Sequence, residues 1–306
     1  MAALWLVRKV KNATVTTYLP NVIFYPVWLV YCLCMIKNFL MNAVLAGVFM
    51  VPLPVPAAAQ VADGVVTIDV LPGWRTENNT HMTALRVRLA EGWKTYWRAP
   101  GDSGIPPRFD WTGSRNIGSV ELHWPRPSVF DTNGLRTIGY INEVVIPLEF
   151  TPNRANASIL IRGKVELGVC ASVCVPVTLR LNADLGNDLT ESDPVIRLAL
   201  NQQPTSAVQA QVSSVLCQIE PIEDGLRVTA SITMPSLGRN EVAVFELPDQ
   251  TIWISEASAH RSGSELRASA DMVPPNAQPF SLNRSDVRIT VLGADRAVDI
   301  QGCQGG

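Results

Sequence analysis

Two cysteines, Cys170 and Cys174, have three residues between them and stand near the tip of a predicted β-hairpin. Apolar and polar residues alternate over 158–169 before them and over 175–182 after them, as in two paired strands. Thiols at such a tip can reach the roughly 5.5 Å Cα separation that a disulfide needs. A strained or exposed disulfide is easily reduced and would suit thiol–disulfide exchange, whereas a small structural clip would explain the same spacing. Spacing alone leaves both interpretations of this close pair open.

Two further cysteines follow residue 60, Cys217 and Cys303, which we call the distant pair. An even number of cysteines in an exported chain favours disulfides over metal thiolates. Four cysteines allow three connectivities, and spacing favours a bond within each pair. A bond across the distant pair would close a loop of about 87 residues and stabilise the fold by about 4.6 kcal/mol, against about 2 kcal/mol for the close pair. The distant pair is therefore interpreted as a structural disulfide. Binding of Cu(I) by the thiolates of the close pair is a minor alternative.

Other catalytic motifs in the chain are incomplete. Residues Gly101–Gly104 read Gly-Asp-Ser-Gly, the tetrapeptide around the nucleophile of chymotrypsin-like proteases. A serine nucleophile needs a histidine base and an orienting acid. None of the histidines, His81, His123 and His260, stands in the alanine-histidine-cysteine context of that class, so the tetrapeptide is interpreted as a turn. The same scattered histidines provide no closed set of metal ligands, and we expect no metal site.

The first 59 residues have the composition of an export leader, and all their charged residues are basic. Residues 35–59 combine a short basic start, the mostly apolar run Phe39–Val55 and the small residues Ala57–Ala59, which together indicate a signal peptide. Residues 1–34 are interpreted as an upstream extension. The alternative is a membrane hairpin that includes the apolar run Val22–Ile36. The mature part is expected to lie in the periplasm and not to span the membrane.

Composition and strand pattern together predict the fold class. The chain has 306 residues, of which 47% are apolar, and a formal net charge of −2, which excludes a disordered chain and a basic nucleic-acid-binding surface. Short alternating runs separated by turn signals predict an all-β chain of two immunoglobulin-like β-sandwiches, residues 60–187 and 207–306. Residues 188–206 are interpreted as a linker that contains one short helix, Pro194–Gln202.

Several segments of the first predicted domain together resemble a known family. They are Glu91–Gly104, Trp124-Pro125, Gly139-Tyr140 with Val145–Pro147, and Val169–Pro176 around the close pair. This combination resembles the N-terminal periplasmic domain of DsbD-type thiol:disulfide interchange proteins, including ScsB-like forms. Arg284-Ser285 and Gly302-Cys303 are similar to the second immunoglobulin-like domain of ScsB-type relatives.

The resemblance implies that Cys170 and Cys174 form a catalytic redox pair that needs no bound cofactor. A membrane-embedded DsbD-type protein would supply electrons to the pair; it is expected to be a separate chain, unless the gene is split or truncated. Oxidised periplasmic proteins, usually thioredoxin-like, would receive them, and whether the client is an isomerase, a cytochrome c maturation factor or a copper-stress protein stays open. Cys174 would contact partners and Cys170 would resolve the mixed disulfide, so that the chain would act as a protein-disulfide reductase.

The resemblance also implies which side chains surround the close pair. An aromatic cap loop covers the pair in this family, and Phe130, in the segment 128–133, is expected to serve as the cap. Tyr96, Tyr140 and Pro176 are expected to line the site.

Two questions stay open from the sequence alone. The cations nearest to the close pair along the chain are Lys164 and Arg180, but their distance from the thiols depends on the strand register. The alternative for the whole chain is a non-enzymatic periplasmic binding or adaptor module whose disulfides are only structural.

Overall fold

The computed structural model describes residues 64–101, 103–132, 134–155 and 157–306, and the expected leader lies outside the described residues. Nearly all the regular secondary structure of the described residues is β-strand, which confirms the predicted all-β fold. The strands of the first sandwich are β1 (Val66–Arg75), β2 (His81–Leu89), β3 (Lys94–Tyr96), β4 (Arg108–Asp110), β5 (Ser119–Leu122), β6 (Ser128–Thr132), β7 (Leu135–Ile141), β8 (Glu143–Thr151), β9 (Ile159–Cys170) and β10 (Cys174–Leu185).

The second sandwich follows a short connecting helix, α1 (Pro194–Leu200). Its strands are β11 (Thr205–Ser206), β12 (Ser214–Ile222), β13 (Gly225–Thr233), β14 (Val242–Glu246), β15 (Trp253–Ile254), β16 (Ser258–Ser262), β17 (Glu265–Val273), β18 (Arg288–Leu292), β19 (Ala297–Gln301) and β20 (Gln304–Gly305), with a 3₁₀ turn at Arg284–Asp286. Within residues 64–306, as far as they are described, no helix is long and apolar enough to cross a membrane.

Two sheets pack face to face in the first sandwich. Their strand orders are β1-β2-β8-β5 and β10-β9-β3-β7-β6, and β4 also pairs with β9. Every second residue of each strand faces the shared core, because side chains alternate between the two faces of a sheet. On β9 these are the odd-numbered residues from Ile159 to Val169, and Phe150 and Leu148 meet them from the opposite sheet. The even-numbered residues of β9 therefore occupy the other face.

The second sandwich contains three strands that its sequence pattern does not predict, β11, β16 and β20. Strand β16 was not predicted, because its sequence Ser-Ala-His-Arg-Ser is mostly polar and exposed. It pairs with β17 alone, and a strand at the edge of a sheet needs little apolar surface. The distant pair forms a disulfide with a Cα separation of 5.7 Å, which ties β12 to the last segment of the chain.

Helix α1 begins where the sequence places it and ends slightly earlier than predicted. The Asp193 carboxylate accepts hydrogen bonds from the backbone N–H groups of Val195 and Ile196 at 2.7 and 3.2 Å, which caps the helix. Ile196 is fully buried and packs with Met82 and Ala84 on the first sandwich. The helix is therefore attached to the first sandwich rather than free in a linker.

Arginine side chains connect the two sandwiches. Arg98 donates two hydrogen bonds to the carboxylate of Glu246, at 2.8 and 3.0 Å, and Arg136 forms an ion pair with Glu256. The Arg98–Glu246 pair is bidentate and largely buried, which fixes its geometry more firmly than that of an exposed pair. The segment after β3 is thereby held against the second sandwich.

One histidine of the first sandwich is buried without a charged partner. His81 is fully buried in β2; its Nε2–H donates to the carbonyl of Pro72 at 2.7 Å, and its Nδ1 has no hydrogen-bond partner among the described residues. Burial lowers the pKa of His81 below its usual value, and nearby Arg75 adds to this, while the hydrogen bond to Pro72 acts the other way. The folded state therefore favours the neutral imidazole.

This histidine makes the stability of the first sandwich depend on pH. Below about pH 6.5 the unfolded chain binds a proton at His81 more readily than the folded chain, so the free energy of unfolding falls as the pH is lowered. His81→Gln keeps an N–H donor for Pro72 but cannot titrate. We expect the loss of stability in urea unfolding between pH 7 and pH 5 to be smaller for His81→Gln than for the unaltered protein. His260→Gln, at an exposed position, is the control, and equal pH slopes for all three proteins would contradict this account.

Candidate redox site

The close pair lies at the tip of the β9–β10 hairpin. Cys170 ends β9, Cys174 begins β10, and the register places them directly opposite each other. They form a disulfide with a Cα separation of 4.0 Å. Cys170 is 6% exposed, whereas Cys174 is exposed on a strand at the edge of its sheet. The two cysteines are thus unequally exposed, and Cys174 is the one that another molecule can reach more easily.

Strand register determines which side chains share the face of the close pair. Cys170 pairs with Lys94 on β3, and Lys94 pairs with Ile141 on β7. Residues paired across strands point to the same side of a sheet, as do residues two positions apart. This side of the six-stranded sheet faces away from the core, and we call it the outer face. Its members near the pair are Lys94, Tyr96, Phe130, Thr137, Ile141, Gly168, Cys170, Cys174 and Pro176.

Tyr96 contacts the close pair directly. Its hydroxyl lies 3.1 Å from Sγ of Cys174. Gly168 makes this possible, because a Cβ there would lie 2.8 Å from Cδ2 of Tyr96 and 2.6 Å from Cβ of Ile105. The tyrosine ring therefore lies against the bare backbone of β9, beneath the loop that contains Ile105.

The electrostatics of Tyr96 suit it as a hydrogen-bond donor. Burial raises the pKa of its phenol, which keeps the hydroxyl protonated at neutral pH. When the close pair is reduced, a protonated hydroxyl at this distance donates to a Cys174 thiolate. Hydrogen bonding to a charged form favours that form, so we expect Tyr96 to stabilise a Cys174 thiolate in the reduced protein.

Tyr140, which was expected to line the site, is on the other face of the sheet. It pairs with Thr95, which alternates with Lys94 and Tyr96, so its side chain points into the core. Its hydroxyl donates to the carbonyl of Pro125 at 2.7 Å. Burial raises the pKa of Tyr140 well above its usual value, although nearby Arg98 acts the other way. Tyr140 is therefore a structural tyrosine, and the period-two alternation of strands is the reason.

Phe130 belongs to a strand rather than to the predicted loop. The segment Ser128–Thr132 forms β6 and pairs with β7, where Phe130 is opposite Thr137. Nζ of Lys94 donates to Oγ1 of Thr137 at 2.9 Å and lies 5.3 Å from the centre of the Phe130 ring. In a flat sheet, the four residues from Ile141 to Thr137 would cover about 13 Å, beyond the reach of a lysine side chain. The β6–β7 hairpin therefore curves over the outer face.

The other residues considered from the sequence lie at different distances from the close pair. Pro176 is exposed on the outer face, two residues after Cys174. Lys164 and Arg180 pair with each other, six positions from the close pair along the hairpin and about 20 Å away. Lys94 is opposite Cys170 on the neighbouring strand, and sequence reasoning missed it because its position depends on the pairing of β3 with β9.

One group of described residues has side chains suited to a metal ion. The ligand atoms of Glu121, His123 and Glu149 lie within 4.8 Å of one another. This group is on the other sheet of the first sandwich, and Nε2 of His123 is already 3.2 Å from the Glu149 carboxylate, which also accepts from Thr80. It takes no part in the chemistry of the close pair.

The two tyrosines provide a matched test of the site. Tyr96→Phe removes the donor to Cys174, so the pH midpoint for iodoacetamide alkylation of the reduced protein should move to higher pH. The rate at pH 7 should fall about threefold or more. Tyr140→Phe should lower the free energy of unfolding by about 1 kcal/mol while leaving that midpoint unchanged. An unchanged pH midpoint in Tyr96→Phe, or an equal shift of the midpoint in Tyr140→Phe, would show that the Tyr96 hydroxyl does not stabilise the thiolate.

Comparisons with known proteins agree with this geometry. Residues 50–185 match the family model of the thiol:disulfide interchange protein DsbD, N-terminal. The chain is also similar to the crystal structure of the N-terminal periplasmic domain of ScsB from Proteus mirabilis, with 21% sequence identity and a TM-score of 0.59. The likeness covers 81% of this chain and 97% of that one, and at this identity it shows a shared fold. The sequence matches no curated protein.

The family match covers the part of the chain that builds the outer face. It includes both cysteines of the close pair and ends at Leu185, the last residue of β10. Residues 50–185 therefore belong to the family of N-terminal domains of the thiol:disulfide interchange protein DsbD.

Proposed function

We propose that this chain transfers electrons between proteins in the periplasm through the close pair. The observation that carries the proposal is the asymmetry of the two sulfurs: Cys174 is exposed and hydrogen-bonded to Tyr96, whereas Cys170 is buried behind it. An exposed sulfur with a stabilised thiolate is suited to attack a partner, and a covered one is suited to resolve the product.

The reaction is thiol–disulfide exchange between the reduced close pair and an oxidised partner. The Cys174 thiolate attacks one sulfur of the partner disulfide, a mixed disulfide forms, and the other partner sulfur leaves as a thiolate. Cys170 then loses its proton to solvent and attacks Sγ of Cys174, which forms the close-pair disulfide and releases the second partner thiolate. Two electrons pass from this chain to the partner, and no cofactor is needed.

Exposed apolar side chains around the close pair support a protein as the partner. Val173 at the hairpin tip is 64% exposed, and Ile141 and Leu135, at the two ends of β7, are 51% and 56% exposed. Apolar side chains grouped on a surface commonly mark sites of protein contact. We infer that thioredoxin-like proteins accept electrons here and that a membrane-embedded DsbD-type protein supplies them.

Trapping of the mixed disulfide tests this function. In Cys170→Ser the attack by Cys174 still occurs, but the resolving thiol is missing, so a covalent complex with an oxidised thioredoxin or with proteins of a periplasmic extract should accumulate. The complex should appear on a non-reducing gel and disappear on reduction. Cys174→Ser should trap much less. If neither variant forms a complex, the disulfides are structural and the adaptor interpretation replaces the relay.

A matched surface variant separates docking from chemistry. In the Cys170→Ser background, Val173→Ser should reduce the yield of the complex with thioredoxin while leaving the rate of alkylation by iodoacetamide unchanged. Leu198→Ser, at an equally exposed position on α1, is the control for lost apolar surface. Equal yields from all three proteins would contradict docking at the hairpin tip.

A further inference from the structure

Lys94 makes contacts that are unusual for a lysine on the face of a sheet. It is half-buried, and its ammonium group lies on the Phe130 ring and donates to the Thr137 hydroxyl. In the described part of the chain, the lysine ion pairs all involve Lys164. The charge of Lys94 is therefore directed to one aromatic ring and one neutral oxygen, both on the β6–β7 hairpin.

These contacts span two parts of the site. The backbone of Lys94 belongs to β3, next to Cys170, while Phe130 and Thr137 are opposite each other on β6 and β7. Gly139, between Thr137 and Ile141 on the same face, has no side chain that would block the path of the lysine stem. Lys94 thus connects the strand beside the close pair to the β6–β7 hairpin.

We propose that Lys94 is a positioning residue that holds the β6–β7 hairpin, with Phe130, in its closed arrangement over the outer face. The proposal rests on the proposed function and on the cap role that the family resemblance implies for Phe130. A cation over an aromatic ring is attracted by the ring's quadrupole, and the hydrogen bond to Thr137 fixes where that cation lies. Removing Lys94 releases both contacts at once and leaves the hairpin free to lift.

The rate at which dithiothreitol reduces the close pair in the intact oxidised chain tests this role. Lys94→Met should speed reduction about two- to tenfold, because the cover opens more often. Loss of the charge alone would act in the opposite direction, since a cation on the outer face attracts the attacking thiolate and favours the thiolate that leaves. A faster reaction is therefore specific to the positioning role, and a slower or unchanged one overturns it.

Further variants test whether Lys94 acts on the reduction rate through Phe130. Phe130→Ala should also speed reduction, and Lys94→Met combined with Phe130→Ala should be no faster than the quicker single variant, because both changes open the same cover. Lys94→Arg keeps a cation over the ring and should react like the unaltered protein. Thr137→Val should give a smaller increase, and Lys164→Met, on the same face but far from the pair, should give none.

The possible failures are distinguishable. If Phe130→Ala speeds reduction and Lys94→Met does not, Phe130 covers the close pair but Lys94 does not hold it in place, and the proposal for Lys94 is wrong. If the two single variants are fast and their effects multiply in the double variant, Lys94 does not act through Phe130, and the proposal is wrong. The trapping of a partner by Cys170→Ser is independent of both results and continues to test the proposed function.

Discussion

The antiparallel register of β9 and β10 is the constraint on which the site depends. It places Cys170 and Cys174 opposite each other at the end of two strands of 12 residues each. The hairpin is anchored along its length because its odd-numbered side chains enter the core of the first sandwich. A shift of one residue on either strand would turn its cysteine toward the core and separate the sulfurs. The disulfide is thus positioned by packing far from the sulfurs themselves.

The same alternation assigns the surrounding residues to two roles. Tyr96 and Lys94 are on the outer face and contact the close pair or its cover, whereas Tyr140 is on the core face and stabilises the sandwich. The outer face is then shaped by loops from both sides of the sheet. Ile105 lies over Gly168 beside the Tyr96 ring, and the Arg98–Glu246 pair ties the start of that loop to the second sandwich. The second sandwich thereby supports the position of Tyr96.

Much of this arrangement could be predicted from the sequence, because it follows from local patterns. The alternating runs on either side of the close pair predict the hairpin, and the proline and aspartate before residue 195 predict the start of α1. What could not be predicted depends on the pairing of strands distant in sequence. The approach of Lys94 to Cys170 follows from the contact between β3 and β9, which are more than 60 residues apart. The placement of Tyr140 follows from the register of β7, and the polar strand β16 follows from its partner β17.

The central claim is that the two disulfides of this chain differ in function: the close pair exchanges electrons with partner proteins, and the distant pair stabilises the second sandwich. Increasing concentrations of dithiothreitol, followed by alkylation and mass spectrometry, measure the opening of each bond in the folded protein. The account predicts that Cys170 and Cys174 become alkylated first, with Cys217 and Cys303 still bonded, because Cys174 is exposed and Cys217 is fully buried. Opening of both disulfides together, or of the distant pair first, would contradict it.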